Sequence, residues 1–380
     1  MKLPSPQECK TFFPGIRRCV VEIWLLLVAA ILEQRCSCLY RCAEAIPGKA
    51  QFASKYRRLA RLVAHKKNEM LCDHVARLII SYAAKGDTVD QPLELVIDRT
   101  NWKLGRKPVN VLFVGVLIKG SIYLPLIWEA LPKHGSSSQK ERTALIERLK
   151  GLWPDSQTKF VLVGDREFVG KTWIKWLYEG HYEMVIRLRR EDYFTDLPAT
   201  MPGAYRMKRI EKAVRKNGFF CNAITINGCS LFFIALPDKR SDDQMIFLLS
   251  SRADVKWTGE TYRRRWGIEV CFKHMKSNGF ELEGTHLTEP ERLHVLRSAV
   301  CMAYVLAIDQ GLIARHKKPI ARKRSKGKSW PAVSMFRYGL RALKNKAPTL
   351  AKIVAKIHSF LRLISYKLGP PGSVLHKSVG

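Results

Sequence analysis

Residues 262 to 276 read YRRRWGIEVCFKHMK. Taken as one helix, they put Tyr262, Arg265, Glu269 and Lys276 at offsets 0, 3, 7 and 14. At about 100° per residue these fall near 0°, 300°, 340° and 320°, so one carboxylate and three hydrogen-bond donors share a narrow arc. Such a face suits a phosphate held beside a metal ion. Arginine offers a bidentate fork, tyrosine a single hydrogen bond, lysine a point charge and glutamate hard oxygens. A glutamate on a basic helix is also an ordinary i,i+4 ion-pair partner, here of Arg265 or Lys273, so the face is read together with the rest of the chain.

Two upstream stretches supply more carboxylates. LVIDRTNW (95–102) and FVLVGDREFVG (160–170) each carry an aspartate at the end of an apolar run, Asp98 and Asp165. Asp98 is costly to bury without a compensating charge, and Asp165 is also placed to N-cap the helix that follows it. The three stretches in this order, with the spacing Y-x2-R-x3-E-x6-K, resemble the motifs of DDE cut-and-paste transposases of the insertion-sequence-four type, whose third motif is the YREK signature. The resemblance spans roughly residues 90–310. It implies that Asp98, Asp165 and Glu269 are catalytic ligands of two Mg²⁺ ions, with Mn²⁺ able to substitute, and that Tyr262, Arg265 and Lys276 position DNA phosphates. Hard cations of this kind need only carboxylate oxygens and water, with no histidine or cysteine. The D-R-E-F context assigns the ligand role to Asp165 rather than to Glu167.

The surrounding pattern is α/β. Apolar, β-branched runs predict strands at 93–98, 109–118 and 121–127, with Pro125 marking an edge. A helix at 139–152, a strand at 159–163, a helix at 169–179 and a strand at 183–188 follow. Three antiparallel strands and then alternating helix and strand is the order of an RNase H-like mixed sheet, in which the first and fourth strands are neighbours; that adjacency would bring Asp98 beside Asp165. Asp165 and Glu269 are 104 positions apart, more than one helix and one strand require. Strand-like runs at 219–226, 230–236 and 245–250, with Asn227-Gly228 as a two-residue turn, predict a β-rich insertion over 190–255. The resembled family carries such an insertion, which helps to hold the cleaved DNA end. Ser277-Asn278-Gly279 predicts a helix stop, and a further helix is expected from Pro290 to about Arg315. The expected organisation is a helical DNA-binding region (1–90), the first part of the core (91–189), the insertion (190–255), the second part of the core with the Glu269 helix (256–315) and a basic helical region (316–380).

Charge points to the partner. Against 33 Asp and Glu stand 66 Lys and Arg, a formal charge of +33, and a polyanion is the natural counterpart. Residues 310–380 carry 17 Lys or Arg and no acid. DNA phosphates fit that excess through counterion release, although composition alone fits ribosomal RNA or an anionic membrane equally. Two basic stretches are candidates for DNA backbone: Lys55, Arg57, Arg58 and Arg61 on an amphipathic helix, which is either a solvated surface face or the backbone contact that the resemblance implies for the N-terminal region, and Arg322, Lys323 and Arg324 in an exposed loop at 316–331. The apolar run at 20–32 is shorter than the roughly 20 residues of a membrane span and contains Glu22, so a core helix is expected there and no membrane partner. Ten cysteines without framework or zinc-site spacing suggest reduced thiols in the cytoplasm.

The resulting expectation is a transposase that binds terminal inverted repeats in double-stranded DNA, cuts the ends and joins the 3′ ends to target DNA as a homodimer, cytoplasmic and associated with the nucleoid. The alternatives are a decayed or domesticated DNA-binding protein without catalysis, and a stand-alone nuclease of RNase H-like fold.

Overall fold

The computed structural model describes residues 4–65, 70–84, 92–104, 107–153, 157–189, 206–239, 244–325, 327–344 and 350–365. The expected boundaries at 90–91 and 189–190, and residues 190–205 of the expected insertion, lie outside that set.

The chain opens with five helices: α1 (Pro6–Phe12), α2 (Arg18–Gln34), α3 (Leu39–Ala45), α4 (Phe52–Ala64) and α5 (Met70–Ala83). The apolar run forms α2, buried from Trp24 to Leu32, a core helix as expected. Its Trp24 indole donates to Ser298 Oγ at 2.9 Å.

Next come β1 (Leu93–Leu104), β2 (Lys107–Ile118), β3 (Ile122–Ala130), α6 (Gln139–Leu152) and β4 (Phe160–Gly164). A single 3₁₀ turn (Arg166–Phe168) leads to α7 (Lys171–Glu179) and β5 (Glu183–Leu188), then α8 (Arg206–Asn217), β6 (Phe220–Ile226), β7 (Cys229–Pro237) and β8 (Met245–Ser250). The chain continues with α9 (Val255–Arg264), α10 (Trp266–Met275), α11 (Pro290–Lys317), β9 (Arg322–Ser325), β10 (Lys328–Pro331), α12 (Met335–Lys344) and α13 (Leu350–Ser365).

One eight-stranded mixed sheet organises this α/β fold, in the order β3-β2-β1-β4-β5-β8-β7-β6. Strands β1 to β3 are antiparallel neighbours, while β4 runs parallel to both β1 and β5. That half is the RNase H-like arrangement expected from the element order. Strand β3 is an edge strand, and Pro125 falls where its register with β2 slips. There the missing N–H interrupts the ladder least.

The structure adds to one expectation and corrects three. First, the strands expected in the β-rich insertion prolong the core sheet. Strand β8 pairs antiparallel with β5, and β7 and β6 follow it outward. The Asn227-Gly228 turn does form, with φ of 49° and 79°. Second, β1 does not stop at Asp98 but runs to Leu104 along β2, so Asp98 lies within a strand. Third, the YREK stretch is two helices meeting at Arg265. The bonds Arg265 N–Tyr262 O (3.1 Å) and Ile268 N–Arg265 O (3.0 Å) tighten the backbone into a 3₁₀-like step. Fourth, much of the expected basic loop at 316–331 is a β9–β10 hairpin, closed by Arg322, whose guanidinium donates to Ser329 Oγ and O at 2.8 Å.

Helix α11 is long and apolar enough to cross a membrane, yet 89% of its apolar window is buried inside the fold. It packs against α2, α4, α5, α12 and the edge strand β3. One helix therefore joins the sheet to the helical layer.

Candidate active site

The parallel ladder between β1 and β4 ends at the pair Ile97–Gly164. Asp98 and Asp165 are the next residue on each strand, so the register brings two acids together at the carboxyl ends of adjacent parallel strands. Asp98 stays in β1, whereas Asp165 turns out of β4 and caps the 3₁₀ turn. Each carboxylate accepts from the amide that follows it: Arg99 N to Asp98 Oδ1 and Arg166 N to Asp165 Oδ1, both at 2.7 Å.

The third acid arrives on α10. Phe272 meets Phe113 of β2 edge-on at 5.3 Å. Gly267 comes so close to the β2–β3 turn that a Cβ there would meet Ser121 O at 2.6 Å. This approach lays Arg265 and Glu269 over β1. The Arg265 guanidinium, 7% exposed, donates from Nη1 to Asp98 Oδ2 at 2.9 Å and from Nη2 to Glu269 Oε1 at 2.5 Å. Tyr262, one turn earlier, donates its hydroxyl to Asp165 Oδ1 at 3.2 Å, and its ring lies 5.5 Å from the Arg265 guanidinium carbon. Three distant segments thus contribute five expected site residues to one cluster.

The charges respond to each other and to burial. Burial pushes the Asp98 carboxyl up to about 6, against Arg265 and the Arg99 amide, while the negative fields of Asp165 and Glu269 push it further upward. Burial likewise pushes the Tyr262 phenol up to about 12, so it is a neutral donor. Burial opposes the charge on Arg265, but Tyr262, Asp98, Asp165 and Glu269 together hold it more firmly protonated than a free guanidinium.

Lys276 is not brought into this cluster. It follows the last residue of α10 as its cap. Its ammonium donates to Asn101 O at 2.8 Å, pairs with Glu283 at 3.4 Å and lies 5.1 Å from the centre of the Trp102 ring. Helical periodicity fails at that point because the helix has ended. Arg264 is bonded to Glu94 of β1 and to Thr261. Arg263 is exposed. Of the residues expected on DNA backbone, Arg57, Arg58, Arg61, Lys323 and Arg324 are exposed and Lys55 is partly covered. Helix α4 packs on α2, α3 and α11.

Sequence reading missed Arg187 of β5, whose Nη1 stands 3.9 Å from Asp165 Oδ1. Its only signal was a lone cation in the otherwise apolar run MVIRL that ends β5.

The donor chemistry can be tested against the implied metal. Among the described residues no three His, Cys, Asp or Glu side chains converge closely enough to hold a metal ion. Asp98 and Glu269, however, already share one cationic group, and Asp98 is withdrawn from water beside a second acid. These hard oxygens fit a divalent cation in chemistry and charge, on the condition that Arg265 turns away. Asp165 is the adjoining ligand candidate, held aside here by Tyr262 and the Arg166 amide.

The family model described as a transposase DDE domain matches residues 129–306, a span that contains Asp165, Glu269 and the whole YREK stretch but leaves Asp98 outside. No curated protein matches the chain. Among solved structures, the chain is similar to that of a cryo-EM structure of a piggyBac transposase synaptic complex with hairpin DNA. The identity is 10%, with 98% of this chain and 85% of that one covered at a TM-score of 0.40. An overlap of that size does not by itself establish a shared fold.

Proposed function

We infer that this protein is a DDE transposase of the insertion-sequence-four type, which binds the terminal inverted repeats of a mobile element, cleaves them and joins the 3′ ends to target DNA. One observation carries the reading: Asp98, Asp165, Glu269, Tyr262 and Arg265 come from three segments far apart in sequence and meet at one end of the β1–β4 ladder. The match of residues 129–306 to a transposase DDE domain supports it.

In this reading Asp98, Asp165 and Glu269 hold two Mg²⁺ ions, for which Mn²⁺ can substitute. Such ions, when bound, supply activation of the attacking oxygen and stabilisation of the leaving oxygen. The chain's own groups do the positioning. Tyr262 gives a neutral hydrogen bond, Arg265 a bidentate fork once released from the acids, and Lys276 a charge at the rim beside Trp102. Basic surfaces on α4 (Lys55, Arg57, Arg58, Arg61) and on the β9–β10 hairpin (Lys323, Arg324) contact duplex backbone, in line with the charge of +33. Arg322 contributes mainly by closing that hairpin. Pairing two ends calls for a homodimer, acting on nucleoid DNA in the cytoplasm.

The test is cleavage of a duplex carrying the element's terminal repeats. The expected result is release of the ends with Mg²⁺, none with EDTA, and none with Glu269→Ala although binding persists. Binding without cleavage under every metal condition would leave only a DNA-binding protein. Cutting without any joined product would leave a nuclease.

A further inference from the structure

The residues adjoining the two aspartates form a second polar cluster that the function above does not use. Arg99 follows Asp98 in β1, and successive strand residues point to opposite faces of the sheet, so its side chain leaves on the face opposite Asp98. There Arg99 Nε lies 3.0 Å from both carboxylate oxygens of Glu167, two residues beyond Asp165. Glu167 Oε1 also accepts from Ser137 N at 3.0 Å and Ser137 Oγ at 3.1 Å. Arg99 Nη1 donates to Asn110 Oδ1 at 2.9 Å, and Asn110 Nδ2 holds the carbonyls of Lys133 and Gly135 at 2.8 and 3.0 Å. Arg142, 5% exposed, closes the cluster. Its Nη2 donates to Ser137 O at 2.7 Å and Glu167 O at 2.9 Å, with the guanidinium carbon 4.9 Å from the centre of the Phe168 ring.

We propose that Glu167, through its ion pair with Arg99, is a positioning residue that fixes the separation of Asp98 and Asp165. Both aspartates lie beyond the end of the β1–β4 ladder, so no strand hydrogen bond ties one to the other. Besides its side-chain partner, Arg265 for Asp98 and Tyr262 for Asp165, each carboxylate is pinned to the amide of the next residue. The segments carrying those amides are joined to each other by Arg99 and Glu167. The pair is mostly buried, each side chain 17% exposed, and its carboxylate is fully engaged on the sheet face away from the acids. Glu167 is therefore not a competing ligand. Groups that orient ligands in this way typically change metal affinity by about 10- to 100-fold when removed.

This proposal rests on the metal reading of the acids, and the experiment separates the two. Mn²⁺ binding to the full-length protein is followed by electron paramagnetic resonance, with circular dichroism and thermal melting as the check on folding. Glu167→Gln keeps a hydrogen-bonding side chain of the same size and is expected to weaken Mn²⁺ binding at least tenfold while the protein stays folded, with DNA affinity in EDTA unchanged. Arg99→Met is expected to do the same, and Arg99→Lys, which keeps the ion pair, to retain affinity within about threefold. A purely structural role would lower the melting temperature and leave the Mn²⁺ affinity of the folded protein intact. If Glu167→Gln binds Mn²⁺ like wild type while Asp98→Asn does not bind it, the positioning role is wrong and the metal site stands. If Asp98→Asn also binds like wild type, the metal site itself is wrong, and the proposal goes with it.

Discussion

Arg265 Nη1 lies 2.9 Å from Asp98 Oδ2, so the most deeply placed acid of the cluster is neutralised by the cation expected to grip DNA. One guanidinium cannot serve the acids and a phosphate at once, and removing it leaves charges facing each other in poor contact with water. Breaking a buried pair in this way costs about 3 kcal/mol or more. Arg265→Met should therefore melt at a markedly lower temperature than wild type in EDTA, and Mg²⁺ should recover part of the loss by replacing the missing charge. Thermal melting with and without Mg²⁺ measures this. A metal-independent loss would mean that the acids do not bind the ion.

Asp98 is expected to cost stability at neutral pH. Its folded value, raised to about 6, exceeds the ordinary 3.8. The linked stability is therefore fully present below about 3.8 and is lost as pH rises through about 6. Asp98→Asn should raise stability at pH 8 in EDTA, by about 1–2 kcal/mol once solvent screening is allowed for, and show no gain at pH 4. Urea unfolding at the two pH values checks the sign.

His274 behaves oppositely. It stacks on Phe336 at 4.4 Å and pairs with Ser334 Oγ at 3.2 Å. Burial, helped by Arg337 and Lys273, lowers its value from 6.5 to about 4. The unfolded chain then takes up its proton first, so stability present above pH 6.5 is lost as pH falls through about 4, by up to about 3 kcal/mol. His274→Gln should flatten the acid limb of the stability curve.

Gly267 tests how closely α10 must approach the sheet. A methyl group there would meet Ser121 O and Leu117, and the helix must shift to relieve it. Gly267→Ala is expected to lower cleavage about 100-fold while end binding and the circular dichroism spectrum are retained. Cleavage at the wild-type rate would show that the approach is not required.

Much of this site could be read from the chain because its acids end patterned runs. The apolar stretch before Asp98 and that before Asp165 are each long enough to mark a strand, and parallel pairing of two such strands aligns their ends. Glu269 was legible from its spacing to Tyr262 and Arg265, which the 3₁₀-like step at Arg265 leaves on the same side. What was not legible depends on long-range contact. The pattern in 245–250 marks a strand but does not say that it will pair with β5, so the place of the insertion's strands in the sheet was not legible. The half-polar NWKL that continues β1 gave no strong strand signal, because its order comes from pairing with β2. Lys276 fits the helical period, but α10 ends just before it and its ammonium reaches Asn101 and Trp102 instead. Glu167 and Arg99 looked like bystanders because their bond joins positions 68 residues apart.

The most direct measurement is anomalous scattering from a crystal of the protein with a terminal-repeat duplex, soaked in Mn²⁺. The account predicts density between Asp98 and Glu269, with Asp165 drawn in and Arg265 turned toward a phosphate. A bound duplex with Arg265 still on the acids and no Mn²⁺ among them would contradict it.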